Sequence, residues 1–331
     1  MDANTLGDVA SARWNQWHTI PWADAFQHVR RLQARIAKAA KDENWRTVKR
    51  LQKLLVRSTT ARAVAVRRVT ENQGRKTPGV DGLTWSTPKE KWKAISALDS
   101  RGYRPKPLRR IHIPKANGGK RPLGIPTMKD RAMQALHWLA LDPVAETRGD
   151  LNSYGFRSGR STADAIAQCH NALSREHSPQ WVLEGDIKAC FDNISHEWLV
   201  RNVPMDRRLL EKWLKAGFVE GRKLFPTDAG TPQGGIISPC LANLALDGME
   251  RLLKDSLPRR DKVNFIRYAD DFVVTGVSQE VLETKVKPLI VGFLSERGLT
   301  LSEKKTKITH VTEGFDFLGW HVQKHKQFLN I

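Results

Sequence analysis

The amino-acid sequence predicts an α+β fold, in which helices and antiparallel strands are mixed rather than alternating as in a doubly wound sheet. With its 23 glycines counted, about 47% of the 331 residues are apolar, the usual share of a globular chain that buries a core. Two amphipathic helical stripes lie between residues 22 and 55, and apolar strands joined by short turns occur twice further on. The sequence shows no internal repeat and no low-complexity stretch.

Several classes of protein are excluded by simple counts. No apolar run reaches the roughly 18 residues that a bilayer span requires, and the first residues lack the basic and apolar regions of a signal peptide. Three cysteines (Cys169, Cys190 and Cys240) have neither the number nor the spacing of a disulfide framework or a zinc site. We therefore expect a soluble cytoplasmic protein without a membrane partner.

The net charge of +20 is concentrated in two stretches of the chain. Arg30 to Lys76 contains 15 basic and three acidic residues, and Asp99 to Arg131 contains ten basic and two acidic residues. These two stretches account for the whole excess, so the remainder is nearly neutral. A concentrated positive charge is typical of a face that binds nucleic acid, and the alternative is a basic surface that only keeps the chain soluble.

Two amphipathic helices are predicted near the N-terminus. Apolar residues recur at helical spacing from Trp22 to Ile36, and again from Trp45 to Leu55, with a break at residues 42–44. The opposite face of the second helix is strongly basic, which favours contact with RNA or DNA over a merely solvated surface. Four residues of this face are the candidates for RNA contact: Arg46, Lys49, Arg50 and Lys53.

A β-hairpin and a helix are predicted in the second basic stretch. Residues 109–114 form one strand and residues 120–125 the returning strand, joined by a turn at Asn117-Gly118-Gly119. A loop rich in turn-forming residues (77–82) precedes the hairpin, and a helix over about 130–140 follows it.

Three carboxylates are the basis for predicting a catalytic site. Asp186 lies at the end of an apolar strand, and Asp270 and Asp271 lie in the turn of an apolar hairpin about 80 residues later. Adjacent acids at such a turn repel each other, so a hard divalent cation with oxygen ligands is the expected partner. An isolated Asp-Asp pair is usually only a polar turn, and the context must decide.

The context is a resemblance to a known family. Tyr268-Ala269-Asp270-Asp271 after an apolar strand, with Asp186 on another strand, resembles the palm of reverse transcriptases, and most closely those encoded by bacterial group II introns. The family's other motifs occur in order from about Arg67 to Val322. The resemblance implies a right-hand polymerase fold with fingers, a palm with a ferredoxin-like antiparallel core, and a helical N-terminal extension.

The resemblance also implies a division of the chain into three segments. We expect the N-terminal extension and first fingers segment at 1–85, the fingers and the start of the palm at 86–180, and the palm at 181–331. The chain stops a few residues after Phe315 to Trp320, which matches the hairpin that supports the primer strand. The thumb and any endonuclease domain are therefore expected to be absent.

By resemblance, Asp186, Asp270 and Asp271 are the catalytic residues and hold two Mg²⁺ ions, for which Mn²⁺ is the expected substitute. The backbone carbonyl of Ile187 completes the implied metal ligands. Two such ions serve the attacking and leaving oxygens of an in-line phosphoryl transfer.

Five residues are implied to contact the incoming nucleotide. Phe191 matches a bulky side chain that selects deoxynucleotides by filling the space of the 2′-hydroxyl. Gln233 lies in the Pro-Gln-Gly-Gly segment that meets the nucleotide, and a helix from Leu241 to Leu252 is predicted to follow this segment. Lys115 and Arg121 match a fingertip pair that grips the triphosphate. Lys305 matches the lysine that protonates pyrophosphate, and Lys304 is an alternative.

Further RNA contacts are implied in the segment from Leu151 to Thr162, which matches the family's template-facing part of the palm. Arg157 and Arg160 are the candidates for phosphate contact there.

The predicted function is that of an RNA-directed DNA polymerase of a group II intron. The expected partners are an RNA template with a DNA or RNA primer, deoxynucleoside triphosphates and the intron RNA, in the bacterial cytosol near the nucleoid. The alternatives are an RNA-binding maturase whose polymerase fold is only a scaffold, and a retron or diversity-generating reverse transcriptase. The three aspartates favour an enzyme, and the long basic N-terminal extension favours the intron type.

Overall fold

A computed structural model describes residues 16–114, 118–326 and 328–331. The helices in chain order are α1 Trp22–Lys41, α2 Trp45–Arg57, α3 Thr59–Glu71, α4 Pro88–Ala97, α5 Met128–Arg148, α6 Thr162–Leu173, α7 Cys190–Asn193, α8 His196–Asn202, α9 Arg207–Leu214, α10 Ser238–Leu246, α11 Met249–Ser256, α12 Gln279–Val281 and α13 Lys287–Ser295. The strands are β1 Leu108–Pro114, β2 Lys120–Ile125, β3 Trp181–Asp186, β4 Phe218–Glu220, β5 Lys223–Phe225, β6 Phe265–Tyr268, β7 Asp271–Gly276, β8 Lys307–His310, β9 Phe315–Phe317, β10 Trp320–His325 and β11 Phe328–Asn330.

The chain forms two compact units, each built from two separate stretches. The first unit contains the described residues up to Arg148 together with Val200–Leu241, and the second contains Gly149–Leu199 and Ala242–Ile331. The division into three segments at 1–85, 86–180 and 181–331 is a division by polymerase parts and stays a prediction. Over the part of the chain that the structure describes, no helix is long and apolar enough to cross a membrane.

The first unit contains the two predicted N-terminal helices and one that the sequence pattern did not reveal. The apolar stripe of α1 is buried at Val29, Leu32 and Ile36, and α2 begins after Asn44, whose side chain accepts from the backbone N–H of Thr47. Helix α3 follows directly. Because α3 is buried around most of its circumference, its alanines and valines form no one-sided stripe, and the periodicity that identifies a surface helix is missing.

The predicted hairpin of the first unit is confirmed. Strands β1 and β2 pair antiparallel, with Ile113 opposite Arg121, and the sheet continues in the order β2-β1-β4-β5. Helix α5 begins close to the predicted start but continues to Arg148, because Pro143 is accommodated inside it.

The second unit is built on an antiparallel sheet in the order β6-β7-β3-β8. One face of this sheet is covered by α6 and by β9 and β10, and the shared core includes Ile166, Val182, Val273, Phe317 and Val322. The two apolar strands and the hairpin predicted around the three aspartates are therefore confirmed.

One predicted helix is divided in two. The sequence predicts a continuous helix from Leu241 to Leu252, whereas the structure contains α10 and α11 with a break at Gly248. Gly248 has a φ of 99°, in the left-handed region that glycine adopts without steric cost. The break turns the chain and places Asp247 at a bend rather than on a helix face.

Candidate active site and nucleic-acid interface

The three aspartates meet at one end of the sheet in the second unit. Asp186 is the last residue of β3 and lies directly opposite Asp271, the first residue of β7. Asp270 occupies the two-residue turn between β6 and β7, after Ala269, whose φ of 58° is unusual for a residue with a side chain. Three carboxylates that are separated by up to 85 positions in sequence are thereby brought to one edge.

The electrostatics of this edge show that negative charge is crowded there. The pKa of Asp271 is raised to about 6, first by burial and then by the neighbouring charges of Asp270 and Asp186. Burial and the neighbouring charges both disfavour the ionised form of Asp271, which a positive partner would stabilise.

Lys305 supplies a positive charge to the cluster. Its Nζ lies 3.0 Å from Oδ1 of Asp186, and this contact raises the pKa of Lys305. The loop that carries Lys305 is fixed by two backbone hydrogen bonds, from Lys188 N–H to the carbonyl of Thr300 and from Ser302 N–H to the carbonyl of Asp186. The structure thus places Lys305 at the aspartates, whereas the exposed Lys304 makes no such ion pair with any described residue.

The donor set of this edge fits a hard divalent cation. Its ligands are carboxylate oxygens, and the carbonyl of Ile187 takes part in neither of the two backbone bonds that flank it. Within the described residues, however, no group of three ligand side chains already forms a metal-binding arrangement. The donors are therefore those that Mg²⁺ prefers, and Lys305 holds one of them.

A buried network of arginines lies beneath the catalytic turn, and the sequence analysis missed it. The fully buried guanidinium of Arg267 donates to the carbonyl of Ala269 at 3.0 Å and to Oδ1 of Asp247 at 2.7 Å. Asn243 accepts a further hydrogen bond from Arg267 at 3.0 Å. The strained residue before Asp270 is thus held through its carbonyl by a side chain of the preceding strand.

The segment 152–155 pairs with β6 and packs against the same turn. Tyr154 N–H donates to the carbonyl of Arg267, and Arg267 N–H donates to the carbonyl of Asn152, both at 2.8 Å. Gly155 lies so close to the backbone of Ala269 that a Cβ atom there would collide with it. The segment that the sequence assigned to the template therefore supports the turn that carries Asp270.

Phe191 lies in the single turn α7 and is paired with a second aromatic residue. Its ring meets that of Phe156 edge to face, with 5.9 Å between centroids. Phe156 is 54% exposed and has a φ of 61°. The half-buried Phe191 is thus part of an aromatic surface, and no sequence pattern had indicated Phe156.

The prediction of a phosphate contact for Arg157 is wrong in this structure. Its side chain is 1% exposed and its Nη2 lies 2.5 Å from Oδ1 of Asp247, so it belongs to the buried network. The half-buried Arg160 donates to the carbonyls of Leu151 and Ser153, and its RNA contact stays a prediction.

The nucleotide contacts predicted in the first unit lie on neighbouring segments. Arg121 is exposed on β2, and the N–H of Gly124 on the same strand donates to the carbonyl of Gln233 at 2.7 Å. The next residue, Gly234, has a φ of 111° and sits against the carbonyl of Gly124, where no larger residue would fit. Lys115 lies outside the described residues.

The basic face predicted on α2 is present. The side of the helix opposite to its buried residues carries four exposed basic residues, Arg46, Lys49, Arg50 and Lys53. Their exposure agrees with the predicted role in RNA binding, which stays a prediction.

An antiparallel sheet with three carboxylates at one end is the arrangement of a template-directed polymerase palm, and sequence comparison identifies the family. Residues 113–322 match the family described as reverse transcriptase (RNA-dependent DNA polymerase), and residues 17–98 match the N-terminal domain of reverse transcriptase. The first match spans well over half of the chain. The chain therefore belongs to the reverse transcriptase family, whose members are RNA-directed DNA polymerases.

Two curated relatives place the chain within that family. Protein YkfC of Escherichia coli (strain K12) is 34% identical over 330 residues, which cover 85% of this chain and 84% of that protein. The group II intron-encoded protein LtrA of Lactococcus lactis subsp. cremoris is 30% identical over 335 residues, covering 78% of this chain and 54% of LtrA. The chain thus spans about half of the length of LtrA, and the predicted kinship with group II intron-encoded proteins is confirmed.

Solved structures confirm the fold. Apo telomerase from Candida tropicalis has a TM-score of 0.52 at 13% identity, covering 70% of this chain and 49% of that chain. The same telomerase in complex with a fragment of telomeric RNA also has a TM-score of 0.52, at 15% identity. At these identities the likeness shows a shared right-hand polymerase fold and nothing further.

Proposed function

We propose that this reverse transcriptase transfers nucleotides at Asp186, Asp270 and Asp271 with the help of two Mg²⁺ ions, and that it binds a group II intron RNA. The single observation that carries the proposal is the convergence of the three carboxylates at the end of the sheet, where burial and the neighbouring acids raise the pKa of Asp271. A protein that only bound RNA would gain nothing from this repulsion.

The metal ligands in this proposal are the three carboxylates and the carbonyl of Ile187. When bound, two divalent ions lower the pKa of a primer 3′-hydroxyl and neutralise charge that develops on the phosphates. Mn²⁺ accepts the same oxygen ligands and is the proposed substitute.

Lys305 is the proposed proton donor to the leaving pyrophosphate. Its pKa is raised by the contact with Asp186, so the ammonium keeps its proton at neutral pH. The same ammonium offsets the negative charge of Asp186, to which it is hydrogen-bonded.

Selection of deoxynucleotides is assigned to Phe191. The edge-to-face contact with Phe156 limits the positions that the Phe191 ring can take, so the ring can exclude a 2′-hydroxyl by its bulk. In the first unit, Arg121 and Gln233 are the proposed nucleotide contacts.

The proposed RNA partner follows from the relatives and from the charge. LtrA is a group II intron-encoded protein, and the exposed basic face of α2 offers the cations that an RNA backbone requires. Synthesis on intron RNA would take place in the cytosol. A retron or diversity-generating reverse transcriptase is the second candidate, which the similarity to LtrA disfavours.

Primer extension tests the proposed chemistry. The purified chain should extend a primer on an RNA template with deoxynucleotides in Mg²⁺ or Mn²⁺, and EDTA should stop the reaction. Equal extension with ribonucleotides, or extension in EDTA, would contradict the proposal. Excess group II intron RNA should compete for the protein better than an unrelated RNA of equal length, and equal competition would remove the intron from the proposal.

A further inference from the structure

The first unit contains a cavity that none of the predicted roles uses. Its volume is about 700 Å³, within the range of pockets that bind small molecules or single nucleotides. Its walls come from α2, α3, α5, α9 and the loops after α4 and before α9, so residues that are distant in sequence line one space.

The lining of this cavity is strongly cationic. It contains seven basic side chains, Lys49, Lys53, Arg57, Arg62, Arg101, Arg208 and Lys212, and two acidic ones, Asp99 and Asp206. Both acids are already engaged. Asp99 pairs with Arg101 at 3.1 Å, and Asp206 accepts from the backbone N–H of Leu209 at 3.0 Å at the start of α9.

Four of the cations have no partner among the described residues. Neither an ion pair nor a side-chain hydrogen bond is found there for Lys49, Lys53, Arg57 or Arg208. By contrast, Lys212 donates to the carbonyl of Tyr103 at 2.9 Å. Unpaired cations that face a common concave space repel each other, and an anionic ligand would relieve that repulsion.

The spacing on α2 indicates more than one phosphate. Lys49, Lys53 and Arg57 recur every four residues, so successive members lie about 6 Å apart along the helix. A row of this kind suits successive phosphates of a chain better than a single free phosphate, which needs cations that converge on one point.

The least exposed residues of the lining, which we call the floor, are mostly apolar and uncharged. Val56, Met205 and Leu209 contribute aliphatic surface, and the buried His137 is in edge-to-face contact with Trp213. Because burial lowers the pKa of His137 to about 4, this ring adds no charge at neutral pH. Such a floor accepts the flat face of a nucleobase.

We propose that this cavity captures a nucleotide of single-stranded RNA, with its phosphates on the cationic rim and its base on the floor. The inference rests on the proposed RNA binding and deepens it by assigning a defined site. Single strands are favoured because their unstacked bases can enter a pocket, whereas the bases of a duplex stay inside the helix.

The chain offers a matched pair of variants for the test. The cavity variant is Lys53→Gln with Arg208→Gln, and the control is Lys89→Gln with Lys93→Gln on α4. The control removes the same charge from the same unit, but neither residue lines the cavity or belongs to the basic face of α2. All four side chains are exposed, so both variants should fold, and equal melting temperatures would confirm it.

The measurement is the affinity for a fluorescent single strand of about 12 nucleotides, a length typical of single-strand sites, at several salt concentrations. The salt slope of the cavity variant should fall by about 1.4, since each single-strand phosphate contact contributes about 0.7, and the control should be unchanged. An equal fall in both variants would overturn the defined site and leave the proposed RNA binding intact. Failure of the wild type to bind RNA would overturn both the defined site and the proposed RNA binding.

Two further experiments identify which part of a nucleic acid, or which small nucleotide, the cavity binds. The first compares an intact strand with an abasic one. A strand with abasic sites should bind the wild type more weakly than the intact strand, and this difference should disappear in the cavity variant. Equal binding of the two strands would overturn the placement of a base on the floor. The second experiment adds a free nucleoside triphosphate as a competitor. If it bound to the cavity while the cavity variant kept the wild-type affinity for RNA, the site would belong to a small nucleotide and the RNA proposal would be overturned.

Discussion

Two sets of basic residues, one in each unit, are used in opposite ways. On α2 of the first unit, Lys49 and Lys53 are exposed and have no partner among the described residues. In the second unit, Arg157 and Arg267 are buried and share the carboxylate of Asp247. One set is available to a ligand, and the other holds the turn that carries Asp270.

This difference teaches that the charge of a residue does not reveal its role. In the sequence, Arg157 and Lys53 look equally suited to bind phosphate. The buried arginine is satisfied by an acid 90 positions away in sequence, and only the fold shows this. Exposure and pairing therefore separate the cations that bind RNA from those that build the site.

The largest effect should come from breaking the buried network. Arg267→Met leaves Asp247 without one of its two buried partners and removes the donor to the carbonyl of Ala269. Removing one member of a buried pair costs about 3–5 kcal/mol, so the free energy of unfolding in urea should fall by that amount. Lys53→Gln is the matched surface control and should change stability by less than about 0.5 kcal/mol. Similar losses of unfolding free energy in both variants would mean that burial does not distinguish the arginines of the second unit from the exposed cations of α2.

The exposed basic residues of α2 should contribute to the salt dependence of RNA binding. Changing Arg46, Lys49, Arg50 and Lys53 to Gln keeps the helix, because Gln is a good helix former and the buried face of α2 is untouched. If all four residues meet phosphates of a long structured RNA, the slope of log affinity against log salt should fall by about three. A titration at several salt concentrations measures it. An unchanged slope would show that this face is only solvated.

A smaller effect is expected at the aromatic pair of the second unit. Phe191→Val should open space beside the sugar and lower the preference for deoxynucleotides by about tenfold, which corresponds to about 1.4 kcal/mol and lies in the range for removing pocket bulk. Incorporation of deoxynucleotides and ribonucleotides at one template position gives the ratio. Phe156→Val keeps the ring of Phe191 and should shift the ratio less. A ratio that does not move in Phe191→Val would make this ring a core residue.

Much of the fold could be predicted because local patterns carry it. The stripes of α1 and α2, the β1–β2 hairpin and the apolar strands around the aspartates all follow from periodicity and turn residues. Helix α3 could not be found this way, because a helix that is buried on most sides has no polar face. The break at Gly248 was missed because the apolar pattern runs across it.

The sequence predicted the acidic residues of the candidate site but not the residues that support them. Asp186, Asp270 and Asp271 stand at the ends of strands, where sequence reasoning can place them. Arg267 offered one signal, since an arginine inside an otherwise apolar strand must find a buried partner. Asp247 and Phe156 offered none, because their contacts depend on segments that are distant in sequence.

The central claim is that the aspartates perform the chemistry while exposed cations elsewhere hold the RNA. Asp270→Asn tests it most directly, in a primer-extension assay on an RNA template at saturating RNA. A metal site supplies several kcal/mol of charge stabilisation, so incorporation should fall by about 1000-fold or more, while the affinity for RNA stays within about twofold of the wild type. Extension by the purified variant at a rate close to that of the wild type would contradict the claim.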